Sequence, residues 1–254
     1  MRKEVLAIGC ALMMLCGCGN NSAAQHYESG WAALEKKDYS TAEQEFQQVI
    51  DLDSRLAESY RAEGIAYYSE GAYPEAIAAF SRSLNNMDDP DKEFKKDVQF
   101  YLAQARMDYG EVDKAIEVYS EILKAGEDAQ AFFLRGKAYI SMDDYENAGK
   151  DFQRALKGCE DYNLYINIYQ IYVDNNKAVD GDAYLKMALE LEPQDGEDYY
   201  HRGRIYEYEK NYEAARDELK TSMEQGYEDA MLLLGRVYLE MEDCLLYTSD
   251  AADE

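Results

Sequence analysis

Histidine is almost missing from this chain: His26 and His201 are the only two among 254 residues. With so little imidazole, a His-Glu-x-x-His zinc site or a partnered base has no material to form from. No phosphate loop and no dinucleotide glycine motif is present either. Basic residues are short too, 26 against 52 acids, for a net charge of -26. Nucleic acid needs a basic face to meet its phosphates, and anionic lipid attracts the same charge, so neither is an electrostatic partner. Acidity of this kind reads as a solvated surface that keeps a protein soluble. The acidic stretch around Asp174, Asn176, Asp180 and Gly181 fails as a calcium loop. Ala178 fills a ligand slot, and Met187 stands where a bidentate Glu belongs. Cysteine supplies no disulfide framework, because Cys10, Cys16 and Cys18 crowd the N-terminus, Cys244 lies near the other end, and Cys159 stands alone as an incidental loop thiol. The chain reads as a non-enzyme with no cofactor and no metal.

What the sequence has in abundance is a repeat. Aligned on a small residue, with a second small residue 12 positions on and an aromatic or Leu 4 beyond that, it gives seven register points. Gly30, Gly64, Ala103, Gly136, Tyr169, Gly203 and Gly235 hold the first slot. Ala42, Ala76, Ala115, Ala148, Gly181 and Ala215 hold the second, and Phe46, Phe80, Tyr119, Phe152, Leu185 and Leu219 the third. Repeats 1 to 7 thus start near Ala23, Ala57, Lys96, Ala129, Tyr162, Gly196 and Glu228, spaced by 34, 39, 33, 33, 34 and 32 residues. Within each, apolar residues recur every three or four positions, the period of amphipathic helices, and Gly, Asn or Asp interrupts them at turns. A period in this range signals stacked helix pairs. Small residues in the first two slots let helices A and B of a repeat approach closely, while the third slot packs into the next pair.

Repeat 2 carries Tyr60, Gly64, Tyr67, a Gly71-Ala72-Tyr73 turn, Ala76, Phe80 and Leu84, and repeat 6 carries Tyr199, Gly203, Tyr206, Lys210-Asn211-Tyr212, Ala215 and Met223. Repeat 5 closes on Leu189, Leu191 and Pro193. This pattern, over residues 23 to 243, resembles the tetratricopeptide repeat. The resemblance implies an all-α α-solenoid of about six and a half helix-turn-helix repeats winding into a right-handed superhelix. Repeat 5 departs from the family, with Tyr169 for the expected Gly and Gly181 for the expected Ala. Either the two slots face each other and conserve total volume, or helix 5B begins late and Gly181 is a frayed start. The long spacing before repeat 3 points to a helix capped by Asp89 with Pro90 at its first position.

Both ends depart from the repeat. Met1-Arg2-Lys3 precedes an apolar run from Val5 to Cys18, too short to span a bilayer comfortably and shaped like a secretion signal. Leu15-Cys16-Gly17-Cys18 looks like a bacterial lipobox, which assigns 1–17 to a signal peptide and Cys18 to lipid attachment. A plain signal peptide would need a small-x-small cleavage site, poorly supplied here. Residues 18–24 then form a linker whose polar Gly19–Ala24 part reaches at most ~20 Å, and the solenoid occupies 25–243. A mature chain starting at Cys18 carries a charge near -27, since Arg2, Lys3 and Glu4 leave with the signal. A turn at Glu242-Asp243 should follow helix 7A. Residues 244–254 instead read as a non-native tail, similar to the translation of a transposon end used in sequencing-library preparation, or as a genuine short tail.

The resemblance implies that helix A of each repeat lines a concave groove. Carried onto this chain, the groove positions give Tyr27, Trp31, Arg61, Tyr68, Phe100 and Gln104, then Phe133, Lys137, Gln170, Tyr200, Arg204 and Arg236. Aromatics and Arg are the types enriched at binding hot spots, although the same rings can simply pack between neighbouring A helices. Glu58, Asp97, Glu197, Glu207 and Asp229 fall on the same face and make it mixed rather than basic. Tyr27 and Trp31 replace the Lys/Asn pair of chaperone-tail clamps, which makes that role unlike this chain. The expected function is a lipid-anchored scaffold on the outer side of a bacterial cell membrane, holding a segment of a protein partner. The alternative is a cell-wall polymer or glycan binder that stacks sugars on the groove aromatics. Evenly exposed rings would favour the glycan reading, and rings buried between helices the scaffold.

Overall fold

The computed structural model describes residues 21–87 and 91–250, with side chains over 22–87 and 91–242. Thirteen helices account for the described residues: α1 Asn21–Glu35, α2 Tyr39–Asp51, α3 Leu56–Glu70, α4 Tyr73–Asn85, α5 Lys92–Tyr109, α6 Val112–Ala125, α7 Ala129–Ser141, α8 Tyr145–Ala155, α9 Tyr162–Asp174, α10 Ala178–Leu189, α11 Gly196–Tyr208, α12 Tyr212–Glu224 and α13 Ala230–Asp250. They fall into two compact units, divided between Ala125 and Gly126. The first holds the hairpins α1/α2, α3/α4 and α5/α6. The second holds α7/α8, α9/α10 and α11/α12, followed by α13. Each unit is a short all-α solenoid, as the repeat implies.

The turns show why these residues form hairpins. Between helices A and B of the first six repeats, one residue takes the left-handed conformation: Lys37, Gly71, Gly110, Asp143, Asn176 and Lys210. That single left-handed residue ends helix A and reverses the chain. Helix starts use the acid surplus locally. Asp38, Asp91, Asp128, Asp144, Asp161 and Asp195, with Asn211, each accept a backbone N–H of the first turn. Such caps satisfy orphan donors and place negative charge at the positive end of the helix dipole.

Close approach within a hairpin depends on the first and third slots together. A Cβ built on Gly30, Gly64, Gly136 or Gly203 would lie 2.6, 2.6, 2.7 or 2.6 Å from Phe46, Phe80, Phe152 or Leu219 of the same repeat. The third-slot side chain therefore lies flat on the first-slot glycine before it reaches the next repeat. It does reach it: Phe80 stacks on Tyr101 at 5.5 Å, and Phe152 meets Tyr172 at 6.0 Å. All four third-slot residues are fully buried. Repeat 5 solves the problem in reverse. Gly181 is buried inside α10, and an added Cβ would come within 3.0 Å of Tyr169, so the two slots exchange bulk and the frayed-start reading is set aside.

Other features differ from expectation. The Asp89-Pro90 pair lies outside the described residues, and the cap of α5 is Asp91, whose side chain accepts from Glu93 N–H. The helix is nonetheless long, at 18 residues. The linker expected over 18–24 is already helical from Asn21, and Ala23 is buried, which shortens its reach. The signal segment, Cys18 and residues 251–254 lie outside the described residues. The turn expected at Glu242-Asp243 does not form, because α13 runs through both residues to Asp250. No glycine, asparagine or proline is present there to take a left-handed or breaking conformation, and Leu, Met and Glu favour helix. No helix of the described residues is long and apolar enough to cross a membrane.

Candidate functional site

In the first unit, the groove candidates sit on α1, α3 and α5. Tyr27 and Trp31 are half-buried and meet the core ring of Phe46 edge-on at 5.9 and 5.8 Å. Arg55 sits 5.6 Å over Tyr27. Arg61 donates from Nε to Asp97 on α5, and its guanidinium lies 5.4 Å from the Tyr101 ring. Seven residues along α3, the Tyr68 hydroxyl donates to Asp108, also on α5. Burial first, and then that carboxylate, push the Tyr68 hydroxyl well above the ordinary phenol range. Gln104 holds the other oxygen of Asp108 at 3.1 Å. Phe100 is half-buried, 6.4 Å from Tyr119. Neighbouring A helices are thus laced together along this face by paired polar side chains.

The second unit repeats the device. Arg236 on α13 grips Glu207 on α11 with two hydrogen bonds, one of 2.7 Å. Tyr200 packs 5.2 Å from Tyr227 and lies under Arg204 at 5.8 Å. Arg204 approaches His201 Nδ1 at 3.3 Å, while Asn163 Nδ2 lies 3.0 Å from Nε2. Both neighbours are donors. Burial first, and then the Arg204 charge, lower the His201 pKa and favour neutral imidazole. Phe133 packs 6.0 Å from Phe152, Gln170 donates to Asp174 at 2.9 Å, and Lys137 is exposed to solvent. Ile166, at an equivalent groove position, is buried in the core instead.

The four basic candidates therefore do not form one basic row. Arg61 and Arg236 are tied to acids, Arg204 leans on Tyr200 and His201, and Lys137 alone projects freely into solvent among them. None of the groove aromatics is a bare exposed ring.

Sequence reasoning missed a buried polar pair inside the hairpins. Arg135 on α7 holds Asp151 on α8 through two bonds of 2.7 and 2.8 Å, and Arg202 on α11 pairs with Glu218 on α12 at 3.0 Å. Each pair immediately precedes the first-slot glycine and the third-slot residue, so opposite charges 16 residues apart at that register were the available signal. Also missed was an open acidic cleft where Glu43, Gln44 and Gln47 of α2 face Glu63 and Tyr67 of α3. Burial, and then Glu70, raise the Glu43 pKa, and burial raises that of Glu63. Among the described residues, no group of three or more His, Cys, Asp or Glu is arranged to hold a metal ion.

Tetratricopeptide repeat models match residues 27–91 and 100–163, and a further one matches 199–224. The chain belongs to the tetratricopeptide repeat family. Among solved structures it is similar to a tetratricopeptide repeat protein from Parabacteroides merdae ATCC 43184. The identity is 18%, the TM-score 0.51, and the match covers 86% of this chain and 99% of that one. It is also similar to a MamA protein, 19% identical at a TM-score of 0.56, over 67% of this chain and 92% of the other. MamA from residue 41 to its end, from Desulfovibrio magneticus RS-1, gives 17%, 0.56, 67% and 95%. These likenesses carry the fold. No curated protein matches the sequence.

Proposed function

We propose that this tetratricopeptide repeat protein is a scaffold that holds an extended segment or helix of another protein on the A-helix face within a compact unit. The observation that carries the reading is the lacing of that face. Arg61 with Asp97, Tyr68 with Asp108 and Arg236 with Glu207 are fixed across neighbouring A helices before any partner arrives. A face whose long side chains are already ordered loses less conformational entropy on binding. The half-buried aromatics support the same reading over a glycan platform. Tyr27, Trp31, Phe100, Phe133 and Tyr200 turn toward core or neighbouring rings rather than standing as bare stacking surfaces. Placement outside the cytoplasm, anchored through acyl chains on Cys18, is part of the proposal and rests on Leu15-Cys16-Gly17-Cys18.

Lys137 gives the cleanest test, being exposed and outside the lacing. Lys137→Glu, combined with Gln170→Lys, should reduce cross-linked partner recovered from membranes without changing the circular dichroism spectrum. Undiminished recovery would remove the face from consideration. For the anchor, Cys18→Ala should abolish incorporation of an alkyne-labelled fatty acid and move the chain from the detergent phase to the aqueous phase. Labelling that persists in this variant refutes the attachment site.

A further inference from the structure

The strongest unassigned feature is the acidic cleft between α2 and α3, an open space of about 610 Å³. Glu63 lines it and is only 4% exposed, yet among the described residues it makes no hydrogen bond and no ion pair. The Arg82 charge reaches it without an ion pair, and burial outweighs that charge. Across the cleft, Oε1 of Glu43 is buried and accepts no hydrogen bond. The charged neighbours of Glu43 are Glu70, Glu63 and Glu75, all of the same sign. Glu70 is close enough to share a hydrogen bond with Glu43, which two carboxylates can do only through a proton. A buried carboxylate oxygen without a donor is costly, and a charged donor relieves it best.

Another repeat shows what sits beside this tyrosine. In repeat 4 the position of Glu63 carries Arg135, whose guanidinium lies 5.8 Å from the ring of Tyr139, the counterpart of Tyr67. Asp151 completes that arrangement with bonds of 2.7 and 2.8 Å. Repeat 2 has the ring and the carboxylates, but no basic side chain lines the cleft. The Tyr67 hydroxyl feels the charges of Glu63, Glu43 and Glu75 instead. No other junction puts two acids at the positions of Glu43 and Glu63. Repeats 2 and 3 have Ile77 and Leu102 there, and repeats 5 and 6 have Asp182 and Arg202. The feature belongs to one junction and not to the repeat in general.

We infer that this cleft takes a lysine or arginine side chain from a segment of another protein. The cation lies between Glu43 and Glu63, and its aliphatic stem runs along the Tyr67 ring. The volume is larger than a bare ion needs and fits a long side chain with part of the backbone that carries it. Gln44 and Gln48 line the same cleft as exposed amides, which can hydrogen-bond that backbone. Glu63 and Tyr67 lie two residues beyond Arg61 and Ile65, about 200° around α3. The cleft is thus on the other side of this helix from the A-helix face, so either surface can fail without the other.

Two end-blocked pentapeptides, with a single lysine or a single arginine between glycines, are the probes, titrated by NMR into the isotope-labelled full chain. Saturable shifts of the amides of 43–48 and 63–67 are expected. An otherwise identical norleucine peptide, which keeps the stem and lacks the charge, should give none. The double variant Glu43→Gln with Glu63→Gln should weaken binding about tenfold or more. Both changes keep size and shape, and circular dichroism verifies the fold. Glu209→Gln with Glu224→Gln removes the same charge from exposed positions of the second unit and should leave binding within about twofold. Equal binding by wild type and the Glu43→Gln, Glu63→Gln variant overturns the proposal, as does equal binding of the norleucine peptide or no binding at all. Saturation of the same amides by spermidine or calcium at lower concentration than by either peptide would also overturn it, by making a small cation the occupant.

Discussion

The two compact units solve the same interior problem with different chemistry. Seven positions into each of repeats 2 to 6, helix A places a side chain opposite one from helix B, just before the first-slot and third-slot residues. In the second unit repeats 4 and 6 fill this pair with Arg135–Asp151 and Arg202–Glu218. Repeat 5 fills it with buried Ile168 and Tyr184, and repeat 3 of the first unit with buried Leu102 and Val118. Repeat 2 has Glu63 facing Ala79, a carboxylate only 4% exposed that faces no basic partner in its own pair. An ion pair and an apolar pair are thus interchangeable here, as expected where desolvation offsets most of the Coulombic gain. A carboxylate set against an alanine is not equivalent to either, since burial raises its pKa despite the nearby Arg82 charge.

The largest break in this comparison comes from splitting an ion pair. Asp151→Ala leaves the Arg135 guanidinium without its carboxylate and should lower stability by about 3 kcal/mol in urea unfolding. The double change Arg135→Leu with Asp151→Val, which installs the repeat 3 solution, should fall within about 1 kcal/mol of wild type. A double variant as unstable as the single one would show that the pair is not exchangeable. Next in size, Gly64→Ala and Gly136→Ala should each cost about 2 kcal/mol by forcing Phe80 or Phe152 aside. Gly235→Ala should instead be neutral or stabilise by up to about 1 kcal/mol. Equal effects at all three positions would contradict the open space beside Gly235.

Proton uptake should separate the units further, and with opposite sign. Burial raises the folded pKa of Glu63 above the ordinary carboxylate value of 4.5, so ionisation opposes folding. The first unit should therefore lose stability as pH rises from 4.5 through the folded value, and Glu63→Gln should flatten that loss. His201 is shifted the other way, below 6.5, by burial and then by Arg204. The second unit should be steady above 6.5 and lose stability as pH falls below it, a trend that His201→Gln removes. Amide exchange followed separately in α3 and α11 reads both; parallel trends would refute the assignment. The smallest effect is at the turns. Lys210→Gly relieves a left-handed lysine and should raise unfolding stability slightly, by about 0.5 kcal/mol or less, since glycine also adds unfolded-state entropy.

Much of the fold was legible because its periodicity is local. The slots at Gly30, Gly64, Gly136 and Gly203 fixed the register of every hairpin around them, and the exchange at Tyr169 and Gly181 could be read as compensation. The candidate site was legible only as a set of positions. Arg61 and Asp97 were placed on one face, but their pairing, like that of Arg236 with Glu207, depends on how far apart successive A helices lie. Arg135–Asp151 and Arg202–Glu218 escaped because charged residues next to a glycine read as surface until the hairpin closes over them. The capping of α5 by Asp91 and the unbroken run of α13 escaped because helix ends turn on one or two residues with competing preferences.

By itself the sequence determined that helices form, where they reverse, and which small residues let them touch, since these follow from spacing along a single chain. Only the tertiary structure decided which charges find partners, which glutamate is buried against an alanine, and which glycine has nothing upon it. Those outcomes depend on distances across helices, and a buried charge or an uncovered glycine exists only once the neighbouring helices are in place.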